Sequence, residues 1–83
     1  MVLELKDTVA LMNSDDYKKR FKAEYLQLKI RRDKLKDMLT KWDRNELSFT
    51  PTCPKGLLMQ QLNYMSAYLH LLKQRAAIEG IEL

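Results

Sequence analysis

The sequence predicts a small all-α protein: a short N-terminal helix, then an antiparallel hairpin of two long helices, assembling into a homo-oligomer. Two long stretches, 15–43 and 55–79, predict the hairpin, because each carries an apolar seven-residue repeat. Additional apolar rows outside those repeats predict the oligomer. With 83 residues the chain is long enough for one domain, so we expect a single helical domain over 1–83.

The first two predicted helices are separated by a run of capping residues. Spaced apolar residues predict a short amphipathic helix over about 3–12. The segment 13–16 (Asn-Ser-Asp-Asp) then offers side-chain oxygens to the free backbone N–H groups that begin a helix. No Gly or Pro follows until the middle of the chain, which predicts one long helix over about 15–43.

A loop and a second long helix complete the predicted hairpin. The segment 44–54 contains both prolines of the chain and several Ser/Thr residues, which is typical of a loop. The second long helix is predicted over about 55–79 and ends before Gly80, because glycine readily adopts the left-handed backbone that stops a helix. The short loop makes the two long helices antiparallel neighbours.

Alternating steps of four and three residues mark the seam between the long helices. The first helix contributes Phe21, Leu28, Leu35 and Trp42, with a companion row of Tyr25, Arg32 and Leu39. The second contributes Leu58, Leu62, Met65, Leu69, Leu72 and Ala76.

Two further rows exceed what one hairpin can bury. The second helix carries a neighbouring row of Leu57, Gln61, Tyr64, Tyr68, Leu71, Arg75 and Ile78. The first helix carries Ala23, Leu26 and Ile30 on its far side. The short N-terminal helix is able to cover only part of this surface, and leaving several such side chains in water forgoes several kcal/mol, at roughly 25 cal/mol per Å². The sequence therefore predicts self-association.

Composition argues against catalysis, cofactors and metals. Cys53 is the only cysteine and His70 the only histidine, so neither a disulfide nor a His/Cys zinc site is available within one chain. His70 has no acidic residue at helical spacing to activate it. Charged residues recur from Glu4 onward, which argues against a signal peptide and against a membrane span. We expect a cytoplasmic protein that is not an enzyme.

Positive charge is concentrated on the first long helix. Residues 17–44 hold 11 Lys/Arg against 4 Asp/Glu, a local balance of +7 in a chain whose net charge is +4. Tyr17, Arg20 and Glu24 fall near one face, and a basic cluster follows them. Tyrosine offers a ring on which a base stacks, and arginine a planar fork for phosphate. The basic cluster consists of Lys29, Arg31, Arg32 and Lys34. The alternative interpretation is that these charges form an ordinary solvated helix face.

Two motifs resemble a family of small helical proteins from tailed and crAss-like phages, some of which are anti-CBASS sponges that sequester cyclic oligonucleotide signals. One motif is Tyr17-x-x-Arg20-x-x-x-Glu24-x-x-x-Leu28, followed by a basic pair and Lys34-Leu35. The other is Leu57-Leu58-x-x-Gln61-x-x-x-Met65-x-x-Tyr68-x-x-Leu71-x-x-x-Arg75. The resemblance covers about sixty residues, from Tyr17 to Ile78.

The resemblance implies a homo-oligomer, a hexamer, whose intersubunit pockets hold cyclic dinucleotides without cleavage, and in some members a separate site for cyclic trinucleotides. It implies that Tyr17 stacks on a base and that Arg31, Arg32 or Lys34 meets phosphate. It also implies that Arg20 and Glu24 organise the pocket or the interface and that Arg75 contributes to a second site. The chain departs from the family pattern in its Pro-Thr-Cys-Pro loop and in Arg32, where an apolar residue is usual.

Two other functions compete with a sponge. The basic segment suits a nucleic-acid-binding phage regulator, although much of that segment is also seam and no helix-turn-helix spacing occurs. The exposed Leu and Tyr row suits an inhibitor that docks on a host defence enzyme. Arg32 has a structural role as an alternative to a ligand-binding one. A charge in the seam is costly unless it pairs with a carboxylate across the seam or reaches water, so the alternative is such a pair.

Overall fold

The computed structural model describes residues 3–83, and every regular element in that range is helical. A 3-10 turn, Leu5–Thr8, runs directly into a single α-helical turn, α1 (Val9–Met12). The long helices are α2 (Tyr17–Asp43) and α3 (Lys55–Glu79). The all-α prediction is confirmed, while residues 1–2 of the predicted domain lie outside the described range. Within 3–83, no helix combines the length and the apolar character needed to cross a membrane.

The first long helix begins at Tyr17, two residues later than predicted, because Asp16 serves as its cap. Asp16 has an extended backbone, and its carboxylate accepts a hydrogen bond from the Lys18 backbone N–H at 3.0 Å. The Ser14 hydroxyl in turn accepts one from the Asp16 N–H at 3.1 Å. The polar run before α2 therefore ends the N-terminal segment and begins the helix, as capping side chains do.

The N-terminal segment packs along the far side of α2 through one buried polar contact. It is a 3-10 turn plus one α-helical turn rather than a continuous helix over 3–12. Thr8 is fully buried, and its hydroxyl donates to the Leu5 carbonyl at 2.7 Å. That hydroxyl also accepts a hydrogen bond from Gln27 Nε2 on α2 at 2.9 Å. Ala23, one helical turn before Gln27, is only 1% exposed as a result.

Replacing Thr8 with Val keeps the shape of the side chain and removes this hydrogen bond. We expect the free energy of unfolding to fall by about 1–2 kcal/mol, because the Gln27 amide loses its buried oxygen acceptor. Chemical denaturation followed by circular dichroism measures the loss. Thr40→Val is the matched control, since the Thr40 hydroxyl bonds only to the Lys36 carbonyl of its own helix. An equal effect in both variants would contradict the role assigned to Thr8.

Short-range contacts stabilise the hairpin at both of its ends. Gly80 follows α3 with a φ of +69°, and this turn lets the Ile81 N–H donate to the Ala76 carbonyl at 2.9 Å. Ile81 is thereby folded back into the core. At the other end Lys55 pairs with Asp43 across the loop, and its ammonium lies 5.8 Å from the centre of the Trp42 ring. The glycine stop predicted after 79 is confirmed.

The core is concentrated at the end of the hairpin where α2 begins and α3 ends. Leu72 is 1% exposed and packs at the centre of this cluster. Nearer the loop, Leu35, Leu58 and Leu62 are only half-buried, whereas Leu39 is buried at 5% exposure. The cluster comprises Phe21, Tyr25, Leu69, Leu72, Ala76 and Ile81.

One face of α3 is exposed along its whole length, as the surplus row predicts for a single chain. We call it the outer row, and it consists of Leu57, Gln61, Tyr64, Tyr68, Leu71, Arg75 and Ile78, all exposed. Tyr64 is 70% exposed and Ile78 85%. A contiguous apolar surface of this kind marks an interaction site in a soluble protein. The homo-oligomer itself stays a prediction.

Candidate functional site

Tyr17 and Arg75, which lie far apart in sequence, meet where α2 begins and α3 ends. Arg75 Nη2 donates a hydrogen bond to the Tyr17 hydroxyl at 2.9 Å. That hydroxyl donates to Glu79 Oε1 at 2.8 Å, and Arg75 Nε donates to Glu79 Oε2 at 3.1 Å. The three side chains form a closed ring of hydrogen bonds, which we call the tyrosine–arginine cluster. All three residues are exposed, so the cluster is open to solvent.

Phe21 supports the cluster from the core side. The Arg75 guanidinium carbon lies 4.9 Å from the centre of the Phe21 ring, at cation–π distance. The Tyr17 ring meets the same Phe21 edge-on, with ring centres 6.2 Å apart and planes at 61°. Because Phe21 is buried in the core, it holds both the tyrosine ring and the guanidinium in place. This fixed geometry lowers the ordering cost of binding a ligand there.

A second polar contact crosses the hairpin two turns further along. Tyr68, on the outer row of α3, donates a hydrogen bond from its hydroxyl to Glu24 Oε2 on α2. The two residues are exposed and lie 44 positions apart in the chain. Together with the tyrosine–arginine cluster, this contact gives the exposed edge of the hairpin two tyrosines, each bonded to a carboxylate.

The electrostatics of these groups keep them in fixed protonation states at neutral pH. The hydrogen bond to Glu79 raises the pKa of Tyr17, and the hydrogen bond to Glu24 raises the pKa of Tyr68. The hydrogen bond from Tyr17, with a smaller contribution from Arg75, lowers the pKa of Glu79, while the bond to Glu79 raises the pKa of Arg75. Both tyrosines are therefore neutral donors, Glu79 is an anion and Arg75 a cation.

Two open grooves flank the contact between Tyr68 and Glu24. Tyr68 borders one groove and Glu24 the other, so the hydrogen bond between them lies between two neighbouring grooves. The arginine groove, of about 420 Å³, is lined by Met12, Arg20, Ala23, Glu24, Gln27, Leu28 and Arg31. The tyrosine groove, of about 510 Å³, is lined by Leu57, Gln60, Gln61, Tyr64, Met65 and Tyr68.

The remaining predicted basic residues separate onto different surfaces. Arg20 and Arg31 share the arginine groove, and Arg20 Nη1 donates to the Ser14 carbonyl at 2.9 Å. Lys34 instead borders a groove of about 300 Å³ on the side of α2 that carries the N-terminal segment, where Leu3 and Leu26 also lie. Arg31 and Lys34 therefore do not contribute to one surface of a single chain.

Arg32 occupies the seam, as the register predicts, but it has no carboxylate partner across the seam within 3–83. Its Nε lies 2.8 Å from Oδ1 of the neighbouring Asp33 on the same helix. The two groups are not aligned for a hydrogen bond, and the Nε atom is shielded from solvent. The expectation of a carboxylate across the seam is wrong, because the nearest acidic side chain is the next residue of α2.

Sequence reasoning missed Glu79 and the hydrogen-bond partners of both carboxylates in the site, although Glu24 stands in one of the quoted motifs. Glu79 stands four residues after Arg75, a spacing that predicts a helical ion pair, but its bond to Tyr17 depends on how the hairpin aligns. Tyr68 belongs to the outer row and to one quoted motif, yet the sequence contains no signal for its contact with Glu24. Pairing the first turn of α2 with the last turn of α3 in an antiparallel hairpin suggests the contact between Tyr17 and Glu79 but not the one between Tyr68 and Glu24.

Neither a metal site nor a similar curated protein or solved structure indicates the function. Across residues 3–83, no three His, Cys, Asp or Glu side chains form a cluster suited to a metal ion. Comparison with curated proteins returns no match, and comparison with solved structures returns none either. A protein-family model does match, over residues 15–78. This range contains the whole of α2 and nearly all of α3, and it includes Tyr17 and Arg75. The match spans more than half of the chain, and the protein belongs to the Sequestin family.

Proposed function

We propose that the protein binds cyclic oligonucleotide second messengers, cyclic dinucleotides and also cyclic trinucleotides, and sequesters them without cleavage. Such sequestration blocks CBASS-type antiphage signalling in the cytoplasm of a phage-infected bacterium. The observation that carries the proposal is the juxtaposition of the Tyr17 ring and the Arg75 guanidinium at an exposed edge beside the arginine groove. Membership of a family named Sequestin is consistent with a binding role.

The chemistry of the edge suits a phosphodiester ligand that carries bases. A guanidinium binds phosphate oxygens through paired N–H donors, and Arg75 is accompanied by Arg20 and Arg31 in the neighbouring groove. A tyrosine ring offers a stacking surface worth about 1–3 kcal/mol per base. A cyclic oligonucleotide presents phosphates and bases in one rigid ring, so both kinds of contact act on a single ligand.

Sequestration rather than hydrolysis follows from the side chains on this edge. Arg75 is a cation and the two tyrosines are neutral donors, which suit an anionic ligand. The carboxylates of this edge, Glu79 and Glu24, already accept hydrogen bonds from those tyrosines, so they are poorly placed to take a proton from water. His70, the usual type of general base, lies exposed on α3. We therefore propose that the ligand leaves the protein chemically unchanged.

The homo-oligomer is part of the proposal because the edge is open. The tyrosine–arginine cluster and both grooves face solvent, and the outer row adds exposed apolar side chains beside them. A second copy packed on the outer row buries that apolar surface and encloses a ligand bound at Arg75. We propose a hexamer, the assembly that the family resemblance implies, with sites shared between chains.

Native mass spectrometry combined with a release assay tests the proposed function. The protein is incubated with a panel of cyclic di- and trinucleotides, filtered, and then heat-denatured to free any bound ligand. We expect the oligomer to retain at least one panel member and to release it intact. Release of linearised nucleotide, or no retention from the entire panel, rejects sequestration. A DNA duplex in the same panel tests the regulator alternative, whose binding weakens steeply as salt rises.

A further inference from the structure

Arg75 is already occupied by an anion from its own chain. Its Nε and Nη2 groups form the edge of the guanidinium that binds two acceptors side by side. In this protein Glu79 Oε2 lies 3.1 Å from Nε, and the Tyr17 hydroxyl lies 2.9 Å from Nη2. The face of the guanidinium is covered by the Phe21 ring at 4.9 Å. An incoming phosphate therefore finds the favoured edge of Arg75 in use.

We propose that Glu79 is an internal competitor for the anion site, an affinity-determining residue whose carboxylate a phosphate group must displace from Arg75. This inference rests on the proposed function and deepens it, since it names the step that a phosphate-bearing ligand performs first. Glu79 is four residues from Arg75 on the same helix, so it competes at a high local concentration.

Displacement at Arg75 also changes Tyr17. Glu79 accepts hydrogen bonds from both residues, one oxygen from each, so moving its carboxylate breaks both contacts together. The Tyr17 hydroxyl is then free to donate to the ligand, while its ring stays in contact with Phe21. Occupation of the anion site and release of the Tyr17 hydroxyl are thereby coupled through one side chain.

Glu79 is a competitor at physiological pH rather than a group that switches off by protonation. The hydrogen bond from Tyr17 lowers the pKa of Glu79, so the carboxylate stays ionised throughout the neutral range. The charged group that contacts it is Arg75 on its own helix, while the Lys18 ammonium of α2 donates to the carbonyl of the next residue, Gly80, at 3.3 Å. Only a competing anion of comparable or greater charge releases Arg75.

The test follows the Arg75 Nε–H resonance by NMR while inorganic pyrophosphate is titrated into the wild-type protein and Glu79→Gln. Glutamine keeps the size and the hydrogen-bonding oxygen but removes the charge. We expect the titration midpoint to fall by about 3- to 10-fold in Glu79→Gln, the range for losing an exposed charged competitor. Glu82→Gln, which neutralises an exposed carboxylate three residues later, is expected to leave the midpoint unchanged.

An unchanged or higher midpoint in Glu79→Gln overturns the inference, as does the lack of any Arg75 response in both proteins. A parallel titration with the cyclic dinucleotide panel separates this result from the proposed function. If Glu79→Gln lowers the pyrophosphate midpoint but no cyclic nucleotide binds to either protein, Glu79 competes at an anion site and sequestration of cyclic nucleotides is rejected. If cyclic nucleotides bind equally to both proteins, sequestration stands and competition by Glu79 is rejected.

Discussion

Replacing Tyr17 with Ala and Arg75 with Leu together is expected to weaken binding of the retained cyclic nucleotide by at least about 100-fold. Loss of a stacking ring costs about 1–3 kcal/mol. Loss of hydrogen bonds to a charged group costs about 1.5–3 kcal/mol more. Isothermal titration calorimetry with the panel member that the wild-type protein retains measures the effect. Both side chains are exposed, so the hairpin core is largely untouched.

Two controls separate a site effect from a general loss of positive charge or of structure. Lys73→Leu removes one exposed cation from the same helix, two residues before Arg75, and is expected to bind within about twofold of wild type, as is usual for a charge outside the site. Circular dichroism checks that the double variant remains helical. Undiminished binding by a folded Tyr17→Ala/Arg75→Leu protein contradicts the assignment of the site to this cluster.

The second large effect is on the proposed assembly: Leu71→Asp combined with Ile78→Asp is expected to convert the proposed homo-oligomer into a monomer of 9.9 kDa. Leu71 is 57% exposed and Ile78 85% exposed in the single chain, so neither charge disturbs the hairpin itself. Each side chain loses about 1.5–3 kcal/mol of burial in the interface, and the new carboxylate adds a desolvation cost. Light scattering coupled to size-exclusion chromatography measures the mass.

Met59→Asp is the matched control for the assembly experiment. Met59 is also apolar, also on α3 and 50% exposed, but its position on the helix is outside the outer row. We expect this variant to keep the wild-type mass. A wild-type protein that is monomeric at micromolar concentration, or a double variant that keeps the oligomer mass, contradicts the assignment of the outer row as the interface.

Local sequence predicts most of the secondary structure because its causes are local. Asp16 caps α2 and Gly80 stops α3, and both act on backbone groups within a few residues. The N-terminal helix is the element that local reasoning placed least well. The segment starts with a 3-10 turn, and its Thr8 hydroxyl bonds to Gln27, a residue 19 positions away whose proximity local sequence does not reveal.

The candidate site could be predicted only in part, because its contacts join residues that are distant in the sequence. Tyr17 and Arg75 stand out by residue type, and the family resemblance names both. Their contact with one another, 58 positions apart, depends on the alignment of two helices. The basic residues that follow are close in sequence, but Arg31 lines the arginine groove beside Met12, whereas Lys34 lines a different groove beside Leu3. The packing of the N-terminal segment against α2 defines these two grooves.

The sequence by itself determined that this protein is helical, that one seam joins its long helices, and that an apolar row is left over. Each of these follows from periodicity and capping, which act within one helix. Only the tertiary structure decided that Glu79 lies between Tyr17 and Arg75 and that Glu24 meets Tyr68. Such contacts are set by the register of the hairpin, which depends on packing between helices and not on either helix alone.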